Sequence, residues 1–116
     1  MANQETVLVN LTRHDIVVVG EDGQEVLRVP PSGQEARAKA STEVVALLNG
    51  IEVAKSTIGD VEGLPEPVEG TVYITSSLVA QKVAGLREDV VSPDTGPTAV
   101  RNAAGQIVAV KRFQRF

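Results

Sequence analysis

The chain has no cysteine and no tryptophan, one histidine and one methionine, and aromatics make up 3% of its 116 residues. Without cysteine there are no disulfides, thiolate zinc sites or cysteine nucleophiles, and the chain is indifferent to redox compartment. Tyr73, Phe113 and Phe116 are the whole aromatic set, too few for the stacking platform that grips single-stranded nucleic acid. No apolar run approaches the roughly 20 residues of a membrane-spanning helix, and the opening MANQETVLVN has no basic stretch leading into a long apolar one. A soluble, intracellular protein with no membrane contact is expected.

Positive charge is also in deficit. The net charge is -4, so the summed field repels phosphate backbones and disfavours general nucleic-acid binding. The distribution is uneven: Glu52, Asp60, Glu62, Glu66 and Glu69 make the middle acidic, and Arg101, Lys111, Arg112 and Arg115 make the C-terminal end basic. Enzyme signatures are missing as well. There is no GxSxG elbow, GxxxxGK[ST] loop, HExxH helix or GxGxxG after a strand. His14 and Asp15 are sequence neighbours and would point to opposite faces if extended. Asp60 and Glu62 lack the ordered spacing of a calcium loop. No catalysis, cofactor or metal is expected.

What the chain does have is valine and punctuation. At 42% apolar, 116 residues suffice for one domain with an aliphatic core. Residues 7–10 and 16–19 read as a first pair of strands joined by a polar turn. Gly20-Glu21-Asp22-Gly23 then predicts a hairpin into Val26, Leu27 and Val29, which Pro30-Pro31-Ser32-Gly33 ends. Residues 36–40 read as a half-exposed edge strand with Arg37 and Lys39 facing water. Asn49-Gly50 between apolar runs predicts a type I′ hairpin, preferred over a helix capped by residues 41–43. Residues 59–70 hold three glycines, two prolines and four acids and predict a long loop suited to contacts. Residues 87–97 read as a second irregular segment, and Asn102-Ala103-Ala104-Gly105 as a last hairpin turn between residues 98–101 and 106–113.

The segment GTVYITSSLVAQKVAGL, residues 70–86, carries the strongest site signal. Val72, Tyr73, Ile74 and Thr75 suit a strand, residues 77–84 suit a helix, and Gly85 suits its left-handed end. Such a helix would bury Val79, Val83 and Leu86, widened by Leu78, and turn Gln81, Lys82 and Arg87 outward. Two readings of the turn stay open. Thr75, Ser76 and Ser77 could form an anion cradle served by Arg87 and Arg101; or Ser76 or Ser77 simply caps the helix while Arg87 pairs with Asp89.

Several short stretches together resemble a group of small bacteriophage and prophage proteins. They are the start Val9-Asn10-Leu11-Thr12-Arg13-His14, similar to that group's N-L-T-P-H; Pro31-Ser32-Gly33 with Ala36-Arg37; Gly63-Leu64-Pro65; and Gly70-Thr71 leading into a Y-I-x-S-x-L-V-A segment. Arg87, Asp89, Pro93, Arg101 and Gly105 follow. Arg13 stands where the group usually has proline. The resemblance implies an accessory factor that binds a host molecule, in the host cytoplasm or in the virion. It adds Asn10, Thr12, His14, Ser32 and Arg37 to the candidate surface.

Together these readings predict a single α+β domain over residues 1–116: a mainly antiparallel, hairpin-rich sheet, open to curling toward a barrel, with one short helix at about residues 77–84. A basic end carrying Phe113 and Phe116 predicts a homo-oligomer. The expected function is a non-enzymatic phage or prophage binding protein that takes up a small anionic ligand, such as a nucleotide-type host defence signal. Its candidate contacts are Thr75, Ser76, Ser77, Arg87, Asp89, Arg101, Asn10, Thr12 and His14. The alternative is a structural virion component or an inhibitor that binds a host protein and has no ligand pocket.

Overall fold

A computed structural model describes residues 6–116. Its centre is a four-stranded mixed sheet of β1 (Val7–Asn10), β6 (Thr71–Ile74), β7 (Val90–Pro93) and β10 (Phe113–Gln114), in the order β1-β6-β7-β10. The first three strands run parallel and β10 is antiparallel to β7. Two-stranded hairpins surround this sheet: β2 (Ile16–Val19) with β3 (Glu25–Val29), β4 (Ala40–Leu48) with β5 (Ile51–Ile58), and β8 (Val100–Arg101) with β9 (Ile107–Ala109). The one helix among the described residues, α1 (Ser77–Lys82), crosses between β6 and β7.

Alternation along the central strands sorts the core into two layers. Val9, Tyr73 and Val90 lie side by side in register and face α1, packing with Leu11, Ala36, Val79, Ala80 and Val83. Their neighbours Leu8, Val72, Ile74 and Val91 face the other way, against Ile16, Val18, Val110, Leu27 and Phe113. Val110 joins the hairpins by exchanging backbone hydrogen bonds with Val17 and Val19, both 2.9 Å.

The described residues are therefore mostly β with one short helix, and their sheets are small and not closed into a barrel. Parallel pairing replaces the antiparallel centre expected from the hairpins. β1 does not pair with β2; it pairs with β6, more than sixty residues away. The segment 87–97, expected to be irregular, contains β7, whose Val90 and Val91 belong one to each core layer. The expected edge strand at residues 36–40 reduces to one bridge, Arg37 with Glu62, and Ala40 instead begins β4.

Other local readings hold. The hairpin at Asn49-Gly50 has positive φ at both residues, 51° and 80°, which a type I′ turn requires; its strands run further than expected on both sides. The 59–70 loop is tied down: the Tyr73 hydroxyl donates to Glu66 O at 3.2 Å, Arg37 and Glu62 exchange backbone bonds of 2.8 Å, and Val61 and Leu64 pack on the core. Gly63 is fixed by more than its φ of 83°, because a Cβ there would collide with the carbonyl oxygen of Glu35.

The helix stops at Lys82, two residues short of the expected end, with Ser76 as its cap. Val79 and Val83 are buried as expected, but Leu86 is 80% exposed because the chain has already left the helix. Phe113 is half-buried in the second core layer, so only Phe116, 47% exposed, is left of the aromatic argument for self-association.

Candidate functional site

In open sheets containing parallel strands, ligands favour the crevice beyond the carboxyl ends of the strands, where chains leave in different directions. Here β6 continues through Thr75 and Ser76 into α1 and on to β7, whereas β1 continues through residues 11–14 toward the hairpins. A cleft of about 440 Å³ lies at that divergence. Leu11, Ala36 and Ala38 form its apolar floor, and Thr12, Arg13, His14, Glu35, Arg37, Lys39 and Ser76 form its rim. Its size is in the range of small-molecule sites.

Asn10 builds the near wall. Its side chain is buried, and its Nδ2 donates to His14 O at 2.7 Å and to Val29 O at 2.9 Å. Its Oδ1 accepts from Thr12 N at 2.9 Å and Thr12 Oγ1 at 2.7 Å, closing an Asx turn. The Asn10 carbonyl in turn accepts from Ser32 N and Ser32 Oγ, and Leu11 O accepts from Ala36 N. The Pro-Ser-Gly motif is thus tied to the Asn-Leu-Thr motif behind the cleft.

The rim is positive in a chain that is negative overall. Arg13 Nε and Arg37 Nε both donate to Glu35 Oε1, at 3.0 and 2.8 Å, so one carboxylate gathers two guanidiniums. Lys39 adds a third cation. All three are exposed, which leaves their hydrogen-bonding capacity open to a ligand. Ser76 Oγ, exposed at the far wall, accepts only a long bond of 3.4 Å from Val79 N.

Of the residues singled out in the sequence, Thr12, His14, Arg37 and Ser76 line this cleft, and Asn10 and Ser32 support it from behind. The others lie elsewhere. Thr75 is fully buried, its hydroxyl donating to Ser76 O at 3.0 Å, and Ser77 is the first helical residue. Arg87 grips Asp89 with two 2.8 Å bonds and donates to Pro65 O at 2.9 Å, which fastens the 59–70 loop to the end of the helix segment. The hydrogen bonds to Arg87 hold the Asp89 carboxyl below the usual carboxylate range despite partial burial. Arg101 donates to Gly105 O at 2.8 Å inside its own hairpin.

The cations of the cleft are Arg13, Arg37 and Lys39, none of which was singled out as the partner of the hydroxyl cluster. A signal was present: Arg37 and Lys39 are two apart in an extended segment and so share a side. Among the described residues no three His, Asp or Glu side chains come together as metal ligands, and no helix is long and apolar enough to cross a membrane. Comparison with protein-family models, curated proteins and solved structures finds no match, and so nothing in family or fold that indicates an enzymatic activity.

Proposed function

We propose that this is a non-enzymatic binding protein that captures a small anionic ligand of nucleotide type in the cleft between residues 11–14, residues 35–39 and Ser76. One observation carries the reading: three cations and one carboxylate converge on an apolar-floored cleft at the carboxyl ends of β1 and β6. Phosphate oxygens would meet Arg13, Arg37 and Lys39, with the Thr12 and Ser76 hydroxyls as further partners. A ring would rest on Ala38 and the edge of Ala36, over the buried Leu11, without aromatic stacking. The setting as a phage accessory protein that sequesters a host defence signal rests on the sequence resemblance alone.

A thermal-shift panel of linear and cyclic nucleotides tests the proposal. The expected result is saturable stabilisation by at least one member, worth about 2.7 kcal/mol at a hundredfold excess over Kd and weakened by salt. It is expected to be lost when Arg37→Ala and Lys39→Ala are combined. A flat response from folded protein overturns the reading. The alternative, a structural or host-protein-binding module, is favoured by the exposed β4–β5 hairpin. It is tested by whether Leu48→Asp with Ile51→Asp removes a specific host partner from a pull-down.

A further inference from the structure

The β4–β5 hairpin has almost no core of its own. Every residue of β4 is exposed, and in β5 only Val53 and Ile58 are half-buried. The hairpin leaves the fold directly after Lys39 and returns at Gly59, whose N–H donates to Lys39 O at 2.7 Å. Among the described residues both of its edges are unpaired, and a two-stranded ribbon without a covered face is marginal in water.

Register assigns the faces, since directly paired residues point the same way. One face carries, from the turn downward, Leu48 with Ile51, Ala46 with Val53, Glu43 with Lys55, and Ser41 with Thr57; the register shift at Val45 lets the apolar pairs continue onto this face. Leu48 and Ile51 are 64% and 70% exposed. Among the described residues neither Glu43 nor Lys55 enters an ion pair.

We propose that this face is covered by the same face of a second copy of this chain, related by a two-fold axis along the hairpin. Such an axis sets β4 of each copy opposite β5 of the other. Leu48 then lies over Ile51, Ala46 over Val53 and Glu43 over Lys55, each contact occurring twice. Apolar meets apolar, small meets branched, and each charge meets its opposite, which is the self-complementarity a two-fold interface demands. A lipid surface fits less well, because the turn end has no Trp, Tyr, Lys or Arg and carries Glu52. The contact is a ribbon roughly 26 Å long and about 10 Å wide from each copy, smaller than a standard specific interface, so a weak, transient self-association is expected. The interface stands independently of the anion cleft.

Sedimentation equilibrium of the full chain, up to roughly 300 µM, tests this contact. The expected result is a monomer–dimer equilibrium that weakens about 100-fold in Leu48→Asp with Ile51→Asp; because these two side chains also pair across the hairpin, circular dichroism checks the protomer, and the charge exchange that follows tests the contact without touching that pair. Glu43→Lys alone and Lys55→Glu alone should each weaken it several-fold, and an equimolar mixture of the two should regain the original affinity, because each altered position then meets an opposite charge. A wild-type chain that stays monomeric, including one that instead floats with phosphatidylcholine–phosphatidylglycerol vesicles, overturns the proposal. So does self-association indifferent to Leu48 and Ile51, assembly beyond a dimer, or a mixture that does not recover.

Discussion

Replacing Asn10 with alanine should be among the most damaging single changes at the cleft, although Asn10 is not at its surface. The side chain is 1% exposed and makes four hydrogen bonds, two as donor and two as acceptor. Alanine removes all four. The His14 carbonyl keeps a bond of 3.1 Å from Thr12 Oγ1, but Val29 O and Thr12 N lose their side-chain partner. At about 1 kcal/mol per lost bond, and more for a group left unpaired, the loss is about 3–5 kcal/mol. In a chain of this size that lowers Tm by about 12–20 °C. Asn10→Asp keeps the acceptor but aims a carboxylate at two carbonyl oxygens; its deficit should match or exceed that of alanine at neutral pH and shrink as acid protonates the group. Calorimetry and urea unfolding followed by circular dichroism read both variants. A Tm loss below about 4 °C for Asn10→Ala, with an unchanged urea slope, would refute the idea that this residue holds the wall.

Arg87→Ala should cost about 2 kcal/mol by releasing Asp89 and Pro65 O, measured by urea unfolding, while nucleotide affinity stays within about twofold; lost binding at intact stability would return Arg87 to the site. Because the folded Asp89 carboxyl lies below its ordinary range, its contribution is complete above about pH 4 and disappears as pH falls through the folded value. Asp89→Asn should therefore be less stable at neutral pH and lose less between neutral and strongly acidic pH; parallel acid profiles would contradict the pair. Gly63→Ala should cost about 3 kcal/mol or more, since the Glu35 backbone must move. Gly70→Ala, with open space around its Cβ position and only a positive φ, should cost about 1 kcal/mol; equal losses would remove the steric argument.

How much of this was legible in the sequence depended on the range of the interaction. Asn49-Gly50 and Ser76 act within a few residues, and the turn and cap they announce are present; Gly85 has its left-handed φ of 78°, but in the turn after the helix has already ended at Lys82. The pairing of β1 with β6 and of β6 with β7 has no local signature, because parallel strands meet only through distant crossovers. Val90 and Val91 were hidden by the Ser92-Pro93 punctuation that follows; proline is tolerated there at the end of the strand. Leu86 was placed on a helix face by period, but the helix had ended. The site divided the same way. Thr12, His14, Arg37 and Ser76 were visible as local motifs, whereas the meeting of Arg37 with Arg13 depends on Glu35 joining two residues 24 apart.

Amide chemical-shift mapping tests the central claim most directly. Titrating the labelled protein with the nucleotides that stabilise it should shift residues 11–14, residues 35–39 and Ser76 saturably, and the shifts should vanish when Arg37→Ala and Lys39→Ala are combined. No saturable shift with any nucleotide, or shifts confined to residues 87–101, would contradict the account.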